Sequence, residues 1–219
     1  MCGRYALTSP PTVIAERFGL AWVPDVPPHY NIAPSQMIPV VRETGKGREL
    51  ALLKWGLIPS WARDVSIGMK LINARAETLA DKPAFRSAYR RRHCLVPADA
   101  FYEWKPVAGR KQPYCIRMRD QALFGMAGLW EHWVAPDGQV VESCTIVTVD
   151  ANALVAELHD RMPLILAPGD YGAWLNAETR EAALPRAVPA EEMVAYPVSP
   201  LVSNARNDLP ACLTPVDAP

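Results

Sequence analysis

Apolar residues along this chain fall in short runs, interrupted every few positions by proline, glycine or polar pairs, a pattern of short strands and turns rather than long helices. Residues 2–7 read as a short extended piece. Thr8-Ser9-Pro10-Pro11 then reads as a helix start, with Val13, Ile14 and residues 18–20 on one face. Residues 23–29 carry three prolines and predict a loop. Strands are predicted over 38–42 and 50–55, on either side of the turn-forming Thr44-Gly45-Lys46-Gly47. An irregular aromatic loop follows over 55–64, then a short helix over 83–92 with a strongly basic end. Further strands are predicted over 94–97, 101–104, 114–117, 123–130 and 145–149, linked by turns at Gly109 and Asp137-Gly138. Helices over 152–158 and 168–175 and an extended piece over 194–198 complete the series. Strands dominate the middle and no βαβ alternation occurs. The expected fold is therefore α+β, one domain over residues 1–219, with a mostly antiparallel, barrel-like β-structure flanked by short helices.

Composition narrows the functional classes. Lys+Arg and Asp+Glu both number 23, so the formal net charge is zero and any anion site must come from local clustering. The 22 prolines against 12 glycines fit a chain of rigid turns. The 5 cysteines (Cys2, Cys94, Cys115, Cys144 and Cys212) are scattered, without CxxC or Cys/His ligand spacing. Neither a disulfide framework nor a metal site is indicated, and a reducing compartment suits the free thiols. No apolar run reaches membrane-spanning length and no export signal is visible, so the expected location is the cytoplasm, with no membrane partner.

Several residues could carry chemistry. Removal of Met1 would leave Cys2 with a thiol and a free α-amine on adjacent carbons. Unperturbed, that amine titrates at about 7.7–8.0 and the thiol at about 8.5, so both are partly deprotonated near neutrality. The pair can condense with an aldehyde, first as an imine and then as a thiazolidine; it can also attack an amide carbonyl, as N-terminal-nucleophile hydrolases do. The bland alternative is a small apolar residue at a strand start. Asn73 and Arg75 offer an amide and a phosphate-matching fork, but on local pattern Asn73 reads as a helix cap. Strand alternation puts Phe101 and Glu103 on one side, so Glu103 is either a partly buried carboxylate able to move protons or an edge residue facing water. His159-Asp160-Arg161 packs three polar functions before Pro163, as a general acid–base with a phosphate ligand or as a basic helix end complementing its dipole. Arg86 and Arg90-Arg91-Arg92-His93 form a basic cluster, and Trp55, Trp61 and Trp104 could interleave with it in a nucleic-acid groove; a solvated helix face is the plainer meaning.

Six blocks occur in a telling order: Met1-Cys2-Gly3-Arg4, Tyr30-Asn31-Ile32-Ala33-Pro34, Trp55-Gly56-Leu57-Ile58-Pro59, Ile72-Asn73-Ala74-Arg75-Ala76-Glu77, Phe101-Tyr102-Glu103-Trp104 and His159-Asp160-Arg161-Met162-Pro163. From residue 2 to about Val202 the chain resembles the SOS response-associated peptidase (SRAP) family. The resemblance implies binding to abasic sites in single-stranded DNA, especially near a junction with duplex, and a thiazolidine crosslink through Cys2. It implies catalytic roles for Cys2, Asn73, Glu103 and His159. Asn73 would position the amine and the sugar, Glu103 would move protons, and His159 would open the abasic sugar and reverse the crosslink. Arg4, Arg75 and Arg161 would contact phosphates, while Pro34 and Trp104 would wedge against bases beside the lesion, with Trp61 a further aromatic contact. A monomer without cofactor or metal, acting on DNA at the nucleoid, follows from the same resemblance. One departure is visible: where many relatives carry two adjacent tryptophans, Trp61 is followed by Ala62, removing a stacking surface that contributes roughly 1–3 kcal/mol per base. Peptidase action of the N-terminal-nucleophile type and a non-enzymatic single-strand binding module are the other classes the residues allow.

Overall fold

Two β-sheets organise the chain, of which the computed structural model describes residues 2–107, 109–176 and 187–217. Met1, whose removal the sequence reading expects, lies outside the described residues. In chain order the strands are β1 (Tyr5–Leu7), β2 (His29–Ile32), β3 (Met37–Thr44), β4 (Gly47–Trp55), β5 (Asn73–Arg75), β6 (His93–Ala98), β7 (Ala100–Val107), β8 (Arg110–Met118), β9 (Phe124–Val134), β10 (Val140–Asp150), β11 (Arg161–Pro163), β12 (Ile165–Leu166) and β13 (Met193–Pro197). The helices are short: α1 (Pro11–Phe18), α2 (Arg86–Arg91), α3 (Ala153–Ala156) and α4 (Tyr171–Leu175).

The smaller sheet runs β13-β8-β7-β1-β2. In the larger one, β10 pairs with β4, β4 with β3, β3 with β6, β6 with β9, and β9 returns to β10. That ring is a closed five-stranded barrel, antiparallel except at the β10–β4 seam. Closure removes the unpaired edges that an open sheet would expose. It also explains the sequence of β6, all six residues of which are buried: a strand covered on both faces needs no polar alternation. The fold is thus α+β with the expected barrel.

Two local readings change. Residues 73–75 form a strand, with Asn73 paired to Ile146 in a parallel ladder, so Asn73 is not a helix cap; the short 3₁₀ turn beyond it starts at Ala76. Likewise His159-Asp160-Arg161 is no helix end: α3 stops at Ala156, and Arg161 opens β11 opposite Asp150. In both places long-range pairing overrides a local cap-like pattern.

The β4 exit is welded to the loop after it. Gly56 has φ 125°, and a Cβ there would lie 2.6 Å from the Gly68 carbonyl oxygen. Gly56→Ala is therefore expected to destabilise the fold by roughly 1–3 kcal/mol, seen as a lowered denaturant midpoint; an unchanged midpoint would show the loop free to move away. Among the described residues no helix is long and apolar enough to cross a membrane.

Candidate active site

The two sheets meet at the start of the chain. Tyr5 pairs with Phe101 across β1–β7, and the Tyr102 N–H donates to the Arg4 carbonyl at 3.0 Å. Cys2 lies just ahead of this ladder, near enough to Glu103 for the carboxylate to act on its thiol. From the barrel, Asn73 on β5 reaches across: its Nδ2 donates to the Cys2 carbonyl at 2.8 Å. The other end of the same amide, Oδ1, is buried without a hydrogen-bond partner. A buried acceptor left unmet costs about 1–3 kcal/mol, so this oxygen is suited to an incoming N–H or hydroxyl.

Cys2 is fully buried, and burial pushes its thiol far above the ordinary range, with the nearby Glu103 carboxylate adding to the effect. This corrects the expectation of a partly ionised thiol: in this setting Cys2 stays protonated near neutrality and needs a base to act. All five cysteines are free and buried.

Glu103 is the internal carboxylate rather than an edge residue, at 3 % exposure. Burial raises it to about 7, against the pull of the positive amino terminus. It lines a cavity of about 570 Å³ together with Trp104, Lys111, His159 and Ser203. His159 is held through Nδ1, which lies 3.0 Å from the Arg161 N–H and 2.8 Å from the Asp160 carboxylate. Burial lowers the His159 titration below its ordinary value, so the ring is neutral near pH 7.

The arginines divide. Arg75 is exposed, and its guanidinium makes no hydrogen bond or ion pair among the described residues. Arg4 donates to Asn31 Oδ1 at 2.9 Å and to the carbonyls of Val202 and Ser203. Arg161, expected as a phosphate ligand, is bonded to Glu77 at 3.0 and 2.9 Å and to Asp150, with its side chain only 8 % exposed. A planar guanidinium matched to two carboxylates is an internal strut. Arg161→Ala should consequently lower stability by roughly 1–3 kcal/mol, the lower part of that range if solvent screens Glu77 and Asp150. An unfolding midpoint equal to that of the parent chain would show that these ion pairs do not hold the fold.

The aromatic candidates also separate. Trp104 is half-buried and donates from Nε1 to Ser203 Oγ at 3.0 Å. Pro34 is half-buried ahead of Ser35, whose φ is 75°. Trp61 is exposed but lines a different cavity, with Arg63, Asp64 and Lys70 among its neighbours. Trp55 is core, 1 % exposed and hydrogen-bonded to the Ile72 carbonyl. The basic cluster is only partly outward. Arg92 pairs with Glu131 at 2.9 Å and the buried His93 stacks on Trp174, whereas Arg86, Arg90 and Arg91 are exposed.

Sequence reasoning passed over Asn31, which is 1 % exposed and orders the site from behind. Its Nδ2 donates to the carbonyls of Val202, Asn204 and Asn207, fastening the C-terminal segment beside Trp104. Its place between Tyr30 and Ile32 in a quoted block was the available clue. Among the described residues no group of three or more His, Cys, Asp or Glu is placed to hold a metal ion.

Comparisons with known proteins agree in kind. The abasic site processing protein YoqW of Bacillus subtilis is 42 % identical over 218 residues, covering 96 % of this chain and 97 % of that protein. The abasic site processing protein HMCES of Xenopus tropicalis is 32 % identical, over 99 % of this chain and 78 % of that protein. A crystal structure of a Bacteroides thetaiotaomicron protein superposes with a TM-score of 0.88 at 27 % identity, covering 98 % of this chain and all of that one. A Bordetella bronchiseptica protein gives 0.76 at 32 % identity, over 90 % of this chain. Residues 1–205 match the family model described as SOS response associated peptidase. The chain belongs to the SOS response associated peptidase (SRAP) family.

Proposed function

We propose that this protein processes abasic sites in single-stranded DNA by forming a thiazolidine crosslink through Cys2. The observation that carries the reading is the Asn73 tether: its amide holds the Cys2 carbonyl at 2.8 Å while presenting an unmet acceptor beside it. Glu103 and His159, an acid–base pair of differing environments, line one cavity at the same place. The relatives' printed names point to the same lesion.

The chemistry runs in balanced steps. Removal of the residue before Cys2, the one peptidase step in this reading, creates the α-amine. Neutral His159 assists opening of the closed abasic sugar, exposing the aldehyde. The amine adds to it, and loss of one water gives an imine. Ionised Glu103 takes the thiol proton as sulfur attacks the imine carbon, and the proton ends on the ring nitrogen. The net change is protein plus DNA minus water. An open imine permits β-elimination and strand cleavage, a lyase-type outcome that ring closure prevents. Asn73 Oδ1 accepts from the amine or from a sugar hydroxyl. Arg75 holds phosphate, and Pro34 and Trp104 meet the flanking bases.

The direct test incubates the mature protein with a single strand carrying one abasic site. A heat-stable band of higher mass on a denaturing gel is expected, lost with Cys2→Ala. An equal adduct with that variant, or none with the parent chain, overturns the reading.

A further inference from the structure

The cavity beside Glu103 must admit a polyanion on the reading above, yet two of the three arginines aligned with it are already engaged. Arg4 is tied to Asn31 and two carbonyls, and Arg161 to Glu77 and Asp150. The third, Arg75, lies on β5 and is not among the residues that line this cavity; the acidic groups at the cavity are Glu103 and, beside His159, Asp160. A phosphodiester brought there without a cation would face carboxylates across a partly desolvated gap.

Lys111 stands at this place. It is exposed, its ammonium makes no hydrogen bond or ion pair among the described residues, and it lines the same cavity as Glu103, Trp104 and His159. The β7–β8 register explains its position. Trp104 lies opposite Pro113 and Pro106 opposite Lys111, so the tryptophan and the lysine share one face of the hairpin as diagonal neighbours. Ser203 of the C-terminal segment accepts from the Trp104 indole, and Lys111 is exposed. An ammonium on a flexible stem beside a half-buried aromatic is a pairing that suits a single strand, charge for the backbone and a ring for the base.

We propose that Lys111 is the phosphate anchor of this cavity, holding the DNA backbone next to the abasic nucleotide while Trp104 meets the adjacent base. This assignment rests on the DNA-binding reading above but is tested apart from it.

The test measures equilibrium binding of an intact single strand over a range of salt, in the Cys2→Ala background, where no covalent capture distorts the equilibrium. Lys111→Gln should weaken binding several-fold at low salt and flatten the slope of log affinity against log salt by about 0.7, the value for one phosphate contact on a single strand. Lys111→Arg should keep the slope of the Cys2→Ala parent. Parallel slopes for the Gln variant and its parent overturn the assignment. Failure of the Cys2-containing protein to form any adduct overturns the crosslinking reading instead, and the slopes still decide Lys111.

Discussion

Glu103→Gln should slow adduct formation by about 10²–10⁴-fold at neutral pH, the usual contribution of a positioned general acid–base, while affinity for the strand stays near that of the parent. The amide keeps the shape of the carboxyl and loses its ability to exchange a proton. On the proposed mechanism the parent's rate should rise as pH passes through about 7, where burial places the Glu103 titration, because the ionised form would accept the thiol proton. In the Gln variant that limb disappears. Stability should move in the opposite sense. The folded value lies above the roughly 4.3 of an unfolded glutamate, so the contribution of Glu103 is fully present below that pH and is lost as pH rises through about 7. Relative to the parent, the Gln variant should therefore gain stability on going from acid to mildly alkaline pH. Quenched time courses from about pH 6 to 8, with unfolding midpoints at the same points, check both. An unchanged rate removes Glu103 from the mechanism.

Cys2→Ser should convert protection into cleavage. The serine keeps the α-amine once the preceding residue is gone, so the imine still forms. Its hydroxyl is a far poorer nucleophile than a thiol, and ring closure should fall by on the order of 100-fold or more. The imine then persists, open to β-elimination. Less heat-stable adduct, more strand scission and a borohydride-trappable intermediate are expected together. A Ser variant that retains a full yield of stable adduct would show that sulfur does not close the ring. The burial of Cys2 sharpens this expectation: a thiol held protonated by desolvation reacts only where a base such as Glu103 is at hand.

Where pattern is local, the sequence was legible. The β3–β4 hairpin falls on its predicted turn, with Thr44 paired to Gly47, and the strands of the middle third lie within a few residues of expectation. Helix α1 starts at Pro11, as its proline start suggested, and ends at Phe18, capped by Gly19 in the left-handed region. What was hidden depends on partners far along the chain. Strand β5 has three residues and no amphipathic period of its own; it exists because β10 pairs with it. Arg161 finds Glu77 across 84 residues of sequence, and no local rule separates a clamped guanidinium from one awaiting phosphate. The six ordered blocks brought Cys2, Asn73, Glu103 and His159 into one hypothesis. The tether from Asn73 to the Cys2 carbonyl and the Glu103–His159 cavity are properties of how the two sheets meet. Lys111 lay in none of the blocks.

The central claim is that Cys2 becomes an aminothiol that captures the abasic aldehyde, and intact mass tests it most directly. The purified protein, alone and after incubation with a single strand bearing one abasic site, should give two masses. The first corresponds to a chain beginning at Cys2. The second equals the sum of that chain and the DNA less one water, with the modification mapping to residue 2. A chain that retains Met1 yet forms the same adduct, or a processed chain that forms none, would contradict the account.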